Sequence, residues 1–273
     1  MKTISWVIFY CCFSFFSIVT AGEFTYTGDG AENNELCEEV VQSEEHFKNF
    51  RQSHFCTRVV DACWPSLGSD FLGVICAKYP QLLDHLDEFR KNDSVGNTSP
   101  VLYGEFGYFC PTTLRYILIA GHLQSLFGSL DGKTIVEIGG GYGGQCRILS
   151  SLFSFKEYTI VDLPAVLALA KKYLKAFNIN NVRFITPDQV PSELPCDLLI
   201  SNYAFSERSP PSKIKYINRI LNHSKCGYMI CNDNLGSGKE EVFKTHFEND
   251  QVTVQFLPEI PSTSGGNYLI VWN

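Results

Sequence analysis

The chain predicts an α/β fold built on a mostly parallel sheet, with an antiparallel C-terminal strand and a small helical cap in front of it. Three observations carry this. From Asp131 onward, short apolar and β-branched runs alternate with helical stretches. A glycine-rich stretch, IVEIGGGYGG, joins one such run directly to a helix. The last two apolar runs stand too close together for a crossover helix, so one of them must run antiparallel.

Taken in order, the spacing predicts strands at Thr134–Ile138, Tyr158–Val161, Val182–Ile185, Leu198–Ser201, Tyr228–Cys231, Val252–Leu257 and Tyr268–Trp272. Helices fit Gly143–Phe153, Pro164–Phe177, Ser212–Asn222 and Lys239–Phe247 between them. Strand–helix–strand repetition of this kind buries a parallel sheet on both faces. Ahead of it, Pro111 opens an amphipathic helix with Leu114, Ile117, Leu118 and Leu126 on its apolar side, and Gly128 closes it.

Residues 22–100 read as the helical cap and a linker, and residues 101–273 as the catalytic domain. Leu36, Val40, Val41, Phe47, Phe50 and Val59 recur at loosely helical spacing, and Pro80 starts a short helix with Leu82, Leu83, Leu86 and Phe89. The polar run from Lys91 to Pro100 is the candidate linker. Residues 1–21 place one Lys before an apolar run that ends in Val19-Thr20-Ala21-Gly22, the pattern of a secretory signal; a retained signal anchor is the competing reading.

A net charge of −7 argues against a broad phosphate-binding surface, so nucleic acid is not an expected partner. Nine cysteines follow the leader, an abundance that suits an oxidising compartment, and their odd number leaves at least one free. Asn92, Asn97 and Asn222 begin N-glycosylation acceptor patterns. All three signals point to the secretory pathway, and a membrane enters only if the leader is kept as an anchor.

In the glycine turn, Gly139, Gly141 and Gly144 let a ligand approach backbone closely. That pattern alone fits a dinucleotide site equally well. Glu137 two positions before Gly139 supplies a carboxylate at the strand end for the ammonium of a bound methionine, which dehydrogenase fingerprints do not require. Asp162 follows the second strand, placed to accept from two ribose hydroxyls, with helix capping before Pro164 as its alternative role. Asp188 after the third strand is a candidate for the adenine amino group, or a solvated loop acid.

Five stretches together, CPTTLRYI, LFGSLDGKTIVEIGGGYGGQ, YTIVDLPAVLALAKKYL, DLLISNYAFSE and GGNYLIVW, resemble the sugar O-methyltransferase family across Tyr103–Asn273. The resemblance implies a class I methyltransferase (Rossmann-like) fold, S-adenosylmethionine as methyl donor, and a sugar or glycan hydroxyl as acceptor. It matches Glu137, Gly139, Gly141 and Tyr142 to the cofactor turn, Asp162 and Leu163 to the ribose and adenine side, and Asn202 with Tyr203 to the strand end facing the methyl group. It also matches Thr112, Thr113 and Arg115 to a substrate-binding segment over the pocket. In such a sheet the fourth and fifth strands are neighbours, so Cys196 and Cys226 enter at one edge and could form a disulfide, with Cys37, Cys56, Cys63 and Cys76 pairing in the cap. Buried thiols are the alternative.

Methyl transfer needs the acceptor oxygen aligned and water excluded, and a general base helps remove the hydroxyl proton. Glu207, just past the fourth strand, is the first candidate and Asp233 the second. Asp233 with Asn234 could hold Mg²⁺, but the fourth strand ends in Asn202 and Tyr203 with no acid, which argues against a metal. Two other function classes remain open from sequence: a non-catalytic lumenal protein that binds S-adenosylmethionine or a glycan, and an NAD-dependent dehydrogenase.

Overall fold

The computed structural model describes residues 31–53, 56–60, 63–232 and 252–273. The leader, the helix expected at 239–247 and Asp233 lie outside the described residues.

The cap contributes α1 (Ala31–Gln42), α2 (Glu44–Lys48), α3 (Pro65–Lys78) and α4 (Leu86–Arg90). A two-stranded ribbon, β1 (Val101–Leu102) and β2 (Tyr108–Phe109), leads to α5 (Pro111–Phe127). The main sheet holds β3 (Thr134–Ile138), β4 (Glu157–Val161), β5 (Val182–Ile185), β6 (Cys196–Asn202), β7 (Ser224–Cys231), β8 (Val254–Pro258) and β9 (Tyr268–Trp272). Its helices are α6 (Gly144–Ser150), α7 (Pro164–Lys175) and α8 (Pro210–Arg219). Proline stands at the first turn of α3, α5, α7 and α8, where its fixed φ favours the helix and its missing N–H costs nothing. Gly128 ends α5 at φ +70°, its N–H donating to the Gln124 carbonyl.

Strand order is β5-β4-β3-β6-β7-β9-β8. β3 to β7 pair in parallel, while β9 runs antiparallel to both β7 and β8, as the short final connection requires. The order reverses between β3 and β6, and in open α/β sheets ligands bind beyond the strand C-termini at such a point. One buried cluster joins α1, α3, α5, α6 and α7 to a sheet face through Tyr158, Leu198, Ile200 and Tyr228. The other face packs Val136, Leu199, Met229 and Ile270 against Tyr216 and Ile217 of α8. This is a Rossmann-like arrangement, a mostly parallel sheet with an antiparallel C-terminal strand, as expected from the sequence.

Three expectations change. The polar run 91–100 is not a loose connection: Asn92 is wholly buried, its amide donating to Thr113 and its carbonyl oxygens accepting from Tyr173. A buried side chain so engaged cannot carry a glycan, whereas Asn97 and Asn222 are exposed. The nine described cysteines are free thiols. β6 and β7 pair Cys196 with Ser224 and Leu198 with Cys226, so the proposed disulfide partners are two residues out of register. Cys226 Sγ instead donates to the Asp197 carbonyl at 3.0 Å.

Candidate active site

β3 ends at Ile138 and the chain then turns through Gly139 (φ +77°) and Gly141 (φ +53°) to Gly143 (φ +92°) before α6 starts. Side chains rarely adopt such dihedrals. At Gly139 space is limiting too, since a Cβ there would fall 2.0 Å from Ala204 Cβ in the turn after β6. Gly144 is equally confined, by the Tyr116 ring at 2.4 Å. Gly141 has only ordinary contact, 3.4 Å to Val60 of the cap, so its requirement is the backbone conformation. Val60 thereby covers the turn from the N-terminal side.

Glu137 is 1% exposed beneath this turn and accepts one hydrogen bond, from Tyr158 Oη at 2.8 Å. Burial pushes its pKa from 4.5 up to about 7, the Tyr158 bond opposing and the Asp162 charge adding to the rise. A raised acid binds its proton more tightly folded than unfolded, so its contribution to stability falls as pH rises from about 4.5 to about 7. A cation bound beside it favours the ionised form. Affinity for S-adenosylmethionine should therefore strengthen as pH rises toward 7, by up to about tenfold per unit, and level off above. Calorimetric titration from pH 5.5 to 8.5 checks this, with Glu137→Gln expected to flatten the profile.

Asp162 lies at the end of β4, its Oδ2 accepting from Gly141 N at 3.1 Å and its Oδ1 from Leu163 N at 2.8 Å. It thus ties the turn to the start of α7, and Arg208 is 4.0 Å away. Burial raises its pKa while Arg208 and the two backbone bonds lower it. Asn34 of α1 accepts from Ala165 N in the first turn of α7, so the cap reaches the same strand end. Replacing Asp162 by Ala should weaken cofactor binding by about 1–3 kcal/mol through loss of charge-assisted bonds to ribose. An unchanged dissociation constant would remove the ribose assignment.

At the end of β6, Asn202 Oδ1 is buried and has no hydrogen-bond partner among the described residues. Tyr203 follows at φ +70°, and its hydroxyl donates to Glu259. Glu207 is held in the next turn by Asn232 Nδ2 at 2.6 Å, and burial raises its pKa against the pull of Arg208 and that bond. Glu259, which sequence reading missed, also accepts from Thr263 and Asn267. No motif marks it, because only the pairing of β8 with β9 brings it to Tyr203.

Other expected site residues are placed differently. The Tyr142 ring is fully buried among Phe50, Tyr116 and Tyr173, with Arg51 over it, so it packs the core beneath the turn. Thr113 bonds Asp93 and Asn92 inside the cap contact and is not available to a substrate. Thr112 is buried. Arg115 stacks over Tyr203 at 5.4 Å from the ring centroid. Leu163 is half-buried at the start of α7, and Asp188 is exposed, accepting from Thr186 at 2.6 Å.

The donor set fits S-adenosylmethionine. Two buried carboxylates, Glu137 and Asp162, flank a glycine turn, a match for the ammonium and ribose hydroxyls, and the buried Asn202 oxygen awaits a donor. The family model for the O-methyltransferase domain matches residues 116–205, which hold the turn, Asp162 and the end of β6. Solved structures similar to part of the chain include an S-adenosylmethionine-dependent methyltransferase from Aquifex aeolicus, 16% identical over 56% of this chain and 88% of that one, TM-score 0.42. Another is an rRNA methylase from Streptococcus thermophilus, 18% identical over 57% and 93%, TM-score 0.43. Residues 116–205 are thus similar to an O-methyltransferase domain, and they hold the glycine turn and donor set that fit S-adenosylmethionine.

Proposed function

We propose that this protein methylates a hydroxyl of a sugar or glycan in the secretory pathway. The observation that carries the reading is that Glu137 and Asp162 lie at the C-terminal ends of β3 and β4 beside the glycine turn, while Glu207 follows β6 and is held by Asn232 just past β7. The first two suit the cofactor. Glu207 remains for the acceptor, and its raised pKa makes it a stronger base than an exposed carboxylate. The sugar as acceptor rests on the sequence resemblance over Tyr103–Asn273.

Bound S-adenosylmethionine supplies an electrophilic methyl group on a sulfonium. The chain has to hold the acceptor oxygen in line with it, keep water out and take up the hydroxyl proton. Glu207, fixed by Asn232, takes that proton, and Asn202 and Tyr203 orient the acceptor at the end of β6. Glu207→Gln should lower kcat by about 10²-fold or more and leave the affinity for S-adenosylhomocysteine unchanged. Equal losses in both, or in neither, would remove Glu207 from the reaction, and a rate abolished by EDTA would shift attention to Asp233.

The leader and the exposed acceptor sites at Asn97 and Asn222 support the compartment. Protein expressed through the secretory route should carry glycan at these two positions and none at Asn92, a result that peptide mass mapping before and after glycosidase reads directly. Unmodified Asn97 and Asn222 would count against the compartment.

A further inference from the structure

A second concavity opens beside the strand ends, between α3, α5 and strands β7 to β9, with a volume of about 270 Å³. Its inner walls include Phe71, Leu118, Ile119, Tyr228, Ile230 and Leu269. At its mouth Leu126, Leu257 and Ile260 are 41%, 38% and 55% exposed. Only seven large hydrophobic residues are exposed among the described residues, so their concentration at one opening marks a surface kept apolar.

Several polar groups of the walls are already engaged. His122 Nδ1 and Tyr228 Oη bond each other at 2.8 Å, and burial holds the imidazole pKa down to about 4, so both present ring surface. Glu259 is occupied by Tyr203, Thr263 and Asn267, and Arg115 bonds the Val60 carbonyl at 3.1 Å. Lys78 and Ser125 lie exposed at the rim. A sugar ring placed here would exchange water for few free partners at its hydroxyls, an unfavourable burial. The volume also falls just below the ~300–1,000 Å³ of pockets that engulf a whole small molecule, so part of a ligand fits. Glu259 and Arg115 line this cavity and both contact Tyr203, which connects it to the end of β6.

We infer that the cavity receives the apolar portion of the acceptor, and that the acceptor is a glycoside bearing an aryl or alkyl group, its sugar hydroxyl held at Tyr203. This rests on the sugar-hydroxyl reading above. The test is calorimetric: a panel of phenyl glycosides and their methyl counterparts titrated into the full chain loaded with S-adenosylhomocysteine. Phenyl glycosides should bind at least tenfold more tightly, and Leu126→Trp and Leu257→Trp, both at the exposed mouth, should each erase that advantage while leaving S-adenosylhomocysteine affinity unchanged. Equal affinity of phenyl and methyl glycosides, or an advantage that survives both substitutions, overturns the inference. Phenol that binds the wild-type chain, is lost from both Trp variants and accompanies no methyl transfer to any glycoside would uphold the apolar cavity and overturn the sugar as acceptor.

Discussion

Gly139→Val should abolish binding of S-adenosylhomocysteine, lowering affinity at least a hundredfold. Two independent constraints meet at this position. The φ of +77° costs a side-chain-bearing residue about 1–2 kcal/mol, and a Cβ would lie 2.0 Å from Ala204, whose backbone is 3.5 Å from the same point. Neither neighbour is the far end of a flexible chain, so the turn or the segment after β6 must move. Both border the proposed cofactor site, and displacement of either takes the Asn202 oxygen or the Gly141 N–H out of place. Gly128 separates the two costs, because its φ of +70° is similar while a Cβ there meets nothing within 4 Å. Gly128→Ala should lose about 1–2 kcal/mol of stability and keep full cofactor affinity. If Gly139→Val folds and binds normally, the turn is not the pocket.

The largest effect on stability is expected from Asp93→Ala, about 3–5 kcal/mol. Asp93 Oδ1 accepts from Arg51 Nη1 at 3.0 Å and from Thr113 at 2.7 Å, and Oδ2 from Cys110 N at 2.8 Å. The Arg51 and Asp93 side chains are 1% and 6% exposed, so removing the carboxylate takes a charge-assisted partner from a buried guanidinium and the acceptor from Thr113 and Cys110 N. Arg51 also lies over the Tyr142 ring at 5.0 Å, directly beneath the cofactor turn. Urea unfolding measures the loss. The pair Arg51→Met with Asp93→Leu should recover much of it, since two apolar groups need no partners. A single variant within 1 kcal/mol of the parent would mean that this cluster does not join cap to core.

These two positions also show what sequence conveys about the molecule. Gly139 was legible because its need is local: the end of a strand, a turn and the start of a helix lie within ten residues, in one run of glycines after Glu137. Strand positions were legible for the same reason, each being an apolar run bounded by turn residues. Asp93 was not, because its partners come from two distant segments, Arg51 of the cap and Cys110 with Thr113 at the start of α5, and a polar run with two glycosylation patterns reads as solvent-exposed. Glu259 escaped notice likewise, since its contact with Tyr203 depends on the order of β7, β9 and β8. Tyr142 misled in the other direction: it stands within the cofactor motif, yet the aromatic ring is drawn into the core by Phe50 and Tyr173. The pairing of Cys196 with Cys226 failed on register, which the runs of apolar residues leave undetermined by a residue or two.

The central claim is that the turn at Gly139 to Gly144 binds S-adenosylmethionine rather than a dinucleotide. Thermal unfolding of the full chain with S-adenosylhomocysteine or with NADH tests it most directly. A ligand at a hundred times its dissociation constant adds about 2.7 kcal/mol to stability. S-adenosylhomocysteine should raise Tm by several degrees in the parent chain and by much less in Asp162→Ala, with NADH leaving both unchanged. A rise with NADH, or none with S-adenosylhomocysteine at millimolar concentration, would contradict the account.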